Sequence, residues 1–152
     1  MTNSTEQTRF RVLAFDPGFT TGVALATVEL QPKPKFTWKT WSVPDRELKG
    51  FLKRTVHKVD FVVCELFVIN TAVKGWNATR NTSNDLPVAN MVGWIEMAAF
   101  MAEKPFIKHR PSDKPMGYKK AGLVYKKGKP GTHEWDAMAH AALFISRQWE
   151  II

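Results

Sequence analysis

The spacing of apolar and polar positions divides the chain into five strands and three helices. Phe10–Phe15 (FRVLAF) reads as a buried strand that stops at Asp16-Pro17-Gly18, where the Pro-Gly pair is turn chemistry. Gly22–Val28 (GVALATV) reads as a second strand, so the two form a hairpin. A turn over 31–35 carries two prolines, and Phe36–Val43 (FTWKTWSV) alternates as a third strand. Pro44-Asp45 opens a helix over Arg46–His57, with Leu48, Phe51, Leu52 and Val56 at helical spacing. Asp60–Leu66 (DFVVCEL) is short and continuously apolar before its acid, the pattern of a strand buried on both faces inside a sheet.

Phe67–Asn84 is polar and reads as a loop. Ser83 or Asn84 caps the next helix, Pro87 suits its first turn, and the helix runs to Glu103. Met91, Val92, Ile95, Met97, Ala98, Phe100 and Met101 make that helix apolar around much of its circumference. It therefore needs burial on two sides, by the sheet and by either the rest of the monomer or a second subunit. Pro105–Arg110 (PFIKHR) is a fifth strand, Pro111–Gly131 reads as a mobile basic loop, and Thr132 caps a last helix over His133–Trp149. A meander followed by helical crossovers predicts an α/β fold, a mixed five-stranded sheet flanked by helices. With 152 residues, 44% apolar content and no linker or repeat, the expectation is a frayed N-terminus over 1–8 and a single domain over 9–152.

Charge adds a partner. The net charge is +8, and Lys104–Lys129 holds nine Lys or Arg residues against the single acid Asp113. A concentrated basic tract points to a phosphate backbone more than a scattered excess does. Cys64 is the only cysteine, which excludes an internal disulfide and a thiolate zinc site, and it reads as core. No apolar run reaches the roughly 18 residues of a membrane span. Met1–Thr8 lacks the pattern of a secretory signal. These features predict a cytoplasmic setting and no membrane partner.

Candidate chemistry lies at the element ends. Asp16 closes the first strand and Glu65 the apolar fourth one. If those strands are parallel neighbours, both acids reach one edge of the sheet, where open α/β sheets place ligands. His133 and Asp136, three residues apart, share a face at the start of the last helix. Carboxylates converging in this way repel unless a cation neutralises them, and hard oxygen donors suit Mg²⁺ or Mn²⁺. Glu65, in a buried strand, must be compensated or protonated. His133-Glu134 opens like a zincin helix, but Ala137 stands where the second histidine would be. His140, two turns beyond His133, reads as peripheral or as a support for the site. His57 and His109 have no evident partner. Trp38, Trp41 and Trp94 read as core or interface.

These residues resemble a known family. Leu13-Ala14-Phe15-Asp16-Pro17-Gly18, followed by Thr21-Gly22-Val23-Ala24, resembles the first motif of the RuvC-type Holliday junction resolvases. Val62-Val63-Cys64-Glu65 resembles their second motif, and His133-Glu134-Trp135-Asp136-Ala137-Met138-Ala139 their last. The short, divergent form is similar to versions carried by bacteriophages. The resemblance implies an RNase H-like fold and a homodimer through the helix over 86–103. It also implies two Mg²⁺ ions per site, with Mn²⁺ as a substitute, and paired nicks across a four-way DNA junction. Asp16, Glu65, His133 and Asp136 match the catalytic and metal-binding positions. In that family the loop after the glutamate enters the junction, often through an aromatic residue, for which Phe67 is the nearest candidate, with Trp76 further along the loop. Lys74, Arg80, Lys114, Lys119 and Lys120 are assigned to DNA contact. The alternatives are another nuclease of this fold, acting on RNA or packaging DNA, and a binding module without catalysis.

Overall fold

The computed structural model describes residues 8–67, 76–125 and 132–149, without the side chains of 76–86. The strands are β1 (Arg9–Asp16), β2 (Thr20–Glu29), β3 (Lys35–Pro44), β4 (Phe61–Glu65) and β5 (Phe106–His109). The helices are α1 (Asp45–Thr55), α2 (Trp76–Met101), α3 (Lys114–Lys120) and α4 (His133–Trp149). The sheet order is β3-β2-β1-β4-β5. β1–β2 and β2–β3 pair antiparallel, and β1–β4 and β4–β5 pair parallel. This is the mixed five-stranded sheet flanked by helices that the pattern predicts.

Because side chains alternate along a strand, each inner strand feeds two cores. Leu13 and Phe15 of β1, with Val62 and Cys64 of β4, face α1 and α2. Phe10, Val12 and Ala14 of β1, with Val63 of β4, face α4. α1 places Leu48 and Leu52 in the first core and has Asp45 and Glu47 in its first turn, where they complement the helix dipole. α4 buries most of its length from Asp136 to Ser146. Of the three tryptophans expected in core or interface, two are packed on the cores and Trp41 is exposed. Trp38 is partly buried on the α4 core and Trp94 on the other, while Trp41 is 36% exposed and meets Phe51 edge-on. Among the described residues no helix is long and apolar enough to cross a membrane.

Two element predictions are corrected. The segment expected to be a mobile loop over 111–131 forms a 3₁₀ turn at Pro111–Asp113 and then α3. Residues 126–131 lie outside the described residues. Helix α3 is held by tertiary contact that no local pattern encodes: a Cβ on Gly117 would collide with the Ala139 carbonyl of α4. Helix α2 also begins at Trp76, within the expected loop, so Pro87 lies inside it rather than in its first turn. A proline there removes one backbone donor from the helical ladder, and local propensity alone argues for a later start. In α2, Met91, Ile95 and Ala99 are buried against the sheet, whereas Met97, Phe100 and Met101 are 59, 74 and 74% exposed.

Thr8, counted with the frayed terminus, accepts a hydrogen bond from the Leu30 amide at 2.8 Å; 1–7 lie outside the described residues. Lys74 also lies outside them, and Arg80 is in α2 with its side chain among those not described.

Helix α4 starts against the backbone of β2, at Gly22. A Cβ there would land on the His133 carbonyl, so only glycine allows the approach. Gly22→Ala is expected to destabilise the protein by roughly 1–3 kcal/mol through overpacking. Gly93→Ala, where an added Cβ meets nothing within 4 Å on an exposed face of α2, is expected to stabilise it by about 0.5–1 kcal/mol. Urea midpoints of the two variants check this, and equal shifts would show that the β2–α4 contact is not tight.

Candidate active site and metal centre

The parallel pairing of β1 and β4 sets Phe15 beside Cys64, so Asp16 and Glu65 follow side by side. Glu65 in turn pairs with His109 on β5. By alternation, all three share the face that carries Ala14, Val63 and Ile107, the face covered by α4. His133, Asp136 and His140 lie three and four residues apart on α4, on one stripe of that helix. The acids that the sequence singles out, Asp16, Glu65 and Asp136, are thus brought together with His133 at the carboxyl edge of the sheet.

The cluster is dry on the acid side and open at the histidine. The Asp16, Glu65 and Asp136 side chains are 6, 13 and 12% exposed, and that of His133 is 51%. His133 Nδ1–H donates to Asp16 Oδ2 at 2.5 Å. Burial raises the Asp16 pKa above its ordinary range, helped by Glu65 and Asp136, although the bond from His133 opposes it. That same bond raises the pKa of His133. The pair therefore holds its proton to higher pH than free imidazole would.

Four further residues complete the site, and their roles emerge only in three dimensions. Lys114, assigned to DNA contact from the sequence, reaches Nζ to Glu65 Oε2 and Asp136 Oδ2 at 2.9 Å each and to Asp16 Oδ1 at 3.4 Å. Burial alone would lower its pKa, but the surrounding carboxylates outweigh that and hold it charged. Tyr118, one helical turn on, donates its hydroxyl to Asp136 Oδ1 at 2.6 Å. His140, fully buried, bonds through Nε2 to Glu65 Oε2 at 2.7 Å. Burial pushes the Glu65 pKa up, but the bonds from His140 and Lys114 prevail and lower it. The compensation that a buried Glu65 requires is thus supplied. The His109 ring centroid lies 5.5 Å from that of His140, and the Nδ1 atoms of both rings are buried without a hydrogen-bond partner among the described residues.

Asp16, His133 and Asp136 each offer a ligand atom, all within 4.8 Å of one another. Carboxylate oxygens and one imidazole suit a hard divalent ion such as Mg²⁺ or Mn²⁺. The ammonium of Lys114 shows that the carboxylates accommodate a cation there. Lys119 and Lys120 are exposed at the end of α3, and Phe67 is half-buried two residues after Glu65.

Comparison with solved structures matches this arrangement of elements to Thermus thermophilus RuvC in complex with a Holliday junction substrate. The TM-score is 0.56 and the identity 18%, over 91% of this chain and 95% of that one. A second Thermus thermophilus RuvC structure matches with a TM-score of 0.50 and 19% identity, over 90% of this chain and 95% of that one. The fold is RuvC-like. It is the RNase H-like architecture that the resemblance implies. No protein-family model and no curated protein matches the chain.

On this RuvC-like frame the acid edge of β1, β4 and β5 carries a stability prediction at His109. Burial and the neighbouring His140 lower its pKa from 6.5 to about 4. Unfolded His109 takes up a proton near 6.5, whereas the folded protein takes it up only near 4. Between those values the unfolded state binds more protons, so this residue's contribution makes stability fall as pH falls, levelling off below about 4. The full loss amounts to roughly 3 kcal/mol. Urea midpoints measured from pH 7 to 4 should fall less for His109→Gln than for wild type, and parallel slopes would refute the assignment.

Proposed function

We propose that the protein is a metal-dependent, structure-selective endonuclease of the phage RuvC type that nicks four-way DNA junctions symmetrically. The observation that carries this reading is the convergence of Asp16, Glu65, His133 and Asp136 at the carboxyl edge of a RuvC-like sheet. These four residues are the proposed catalytic and metal-binding set and would hold two Mg²⁺ ions, or Mn²⁺ in their place. Such ions would supply Lewis-acid stabilisation of the phosphoryl oxygens and a lowered pKa for a water.

The chain's own groups do the rest. The Asp16–His133 bond holds the Nδ1 proton against the acid and leaves Nε2 as the open edge of the imidazole, positioned to exchange a proton with water or a leaving oxygen. Tyr118 and His140 fix the rotamers of Asp136 and Glu65, so the carboxylates stay aimed at one point. Burial excludes bulk water from the acids, which strengthens every charge interaction at the reacting phosphate.

DNA contact falls to Phe67, Lys74, Arg80, Lys114, Lys119 and Lys120. Lys119 and Lys120 stand at the end of α3, whose first residue reaches the acids. A homodimer through α2 suits a two-fold symmetric junction, one subunit per strand cut. The exposed Met97, Phe100 and Met101 support that interface. So does a groove of about 450 Å³ between α1 and α2, lined by Leu52, Trp94 and Met97 among others.

The test is a cleavage panel of four-way junction, fork, linear duplex and RNA–DNA hybrid, with Mg²⁺ and with a chelator. Paired nicks in the junction that vanish with chelator are expected. Cutting of the hybrid alone would replace this reading with an RNA-directed one, and junction binding without nicking would leave only a binding module. Asp16→Asn is expected to keep junction binding while nicking falls by a factor of roughly 10² or more, because a ligand matters at least as much as the groups that support ligands. Junction affinity should weaken as salt rises, because each phosphate contact releases counterions.

A further inference from the structure

Lys114 is in contact with all three acids at once. Its Nζ sits 2.9 Å from Glu65 and Asp136 and 3.4 Å from Asp16, the place where a cation shared by all three would sit. The side chain is only 19% exposed, so the contact is not a passing surface pair. Its backbone is anchored as well. Gly117 packs on the Ala139 carbonyl, and Tyr118 holds Asp136 one turn further on. The ammonium is therefore delivered by a docked helix into the centre of the acid cluster.

We propose that Lys114 is an internal counter-ion that holds the carboxylates together before a divalent ion binds, and that competes with that ion for them. The inference rests on the metal-dependent reading of the site. Like charges cannot occupy the same few ångströms without mutual cost, so loading the cluster with a divalent ion requires Nζ to swing away. The helix itself need not undock, because a lysine has a long flexible stem. The displaced ammonium stays beside the site, where it can meet an incoming phosphate. That accounts for both its seat among the acids and its assignment to DNA contact. A competitor that must be displaced raises the apparent Kd for the ion to the intrinsic value divided by the fraction of time that the seat is free.

The experiment is a Mn²⁺ titration of the DNA-free protein, with free Mn²⁺ followed by electron paramagnetic resonance and thermal unfolding measured in parallel. Lys114→Met, nearly the same length without the charge, is expected to bind Mn²⁺ about tenfold more tightly than wild type, within the usual range of coupling between linked equilibria. Its melting temperature in chelator should fall, and its gain on adding Mn²⁺ should exceed that of wild type. Lys114→Arg, which keeps the charge, should retain the weaker wild-type affinity. If Lys114→Met is unfolded in chelator, Lys114→Gln is judged by the same criterion. Equal or weaker Mn²⁺ binding in the uncharged variants would overturn the competition while leaving a metal-binding site in place. Absence of Mn²⁺ binding in every form would overturn the metal reading and this proposal together.

Discussion

Three carboxylates cannot share one dry edge of a sheet without a positive charge among them. Removing an acid from water costs several kcal/mol before any repulsion is counted. Asp16, Glu65 and Asp136 are all more than four-fifths buried by side-chain exposure. The groups around them answer that constraint. Lys114 supplies the charge, His133 and His140 supply hydrogen bonds to two of the acids, and Tyr118 supplies one to the third. Removing any one partner leaves a buried oxygen exposed to its neighbours' charge.

The backbone makes that convergence possible in two steps. Parallel pairing of β1 with β4, and of β4 with β5, aligns Asp16, Glu65 and His109 along one edge and on one face. Helix α4 then closes over the face, and glycines set how closely the layers meet. Gly22 admits the first turn of α4, and Gly117 admits α3 onto Ala139. The opposite core, around Leu48, Met91 and Ile95, packs α1 and α2 on the other face of the sheet, so one layer holds the sheet and the other carries the site.

Function divides along the same line. The acids lie at the carboxyl edge of the sheet, and α3 beside them carries Lys114 in its first turn and Lys119 and Lys120 in its last. On the proposed reading, a phosphate backbone drawn to the exposed Lys119 and Lys120 would arrive next to the carboxylates that would otherwise repel it. Lys114 joins the two charge systems, because it belongs to the basic tract in sequence and to the acid cluster in space.

Hydrophobic periodicity is local, which is why β1, β2, β3, β4, β5, α1 and α4 were legible from the chain alone. So were Asp16, Glu65, His133 and Asp136, because an acid at the end of an apolar strand and a His–Asp pair opening a helix are local patterns. The start of α2 and the whole of α3 were not legible. Asn, Thr and Ser at 77–84, and Gly117 inside α3, oppose helix locally. Contact with α4 overrides that preference in α3. The partnerships of Lys114 with residues as many as 98 positions away, of Tyr118 with Asp136 and of His140 with Glu65 leave no mark on spacing or composition. Residue types and their order determined which groups could do chemistry; only the packing of α3 and α4 on the sheet decided which of them meet, because charge compensation acts through space and not along the chain.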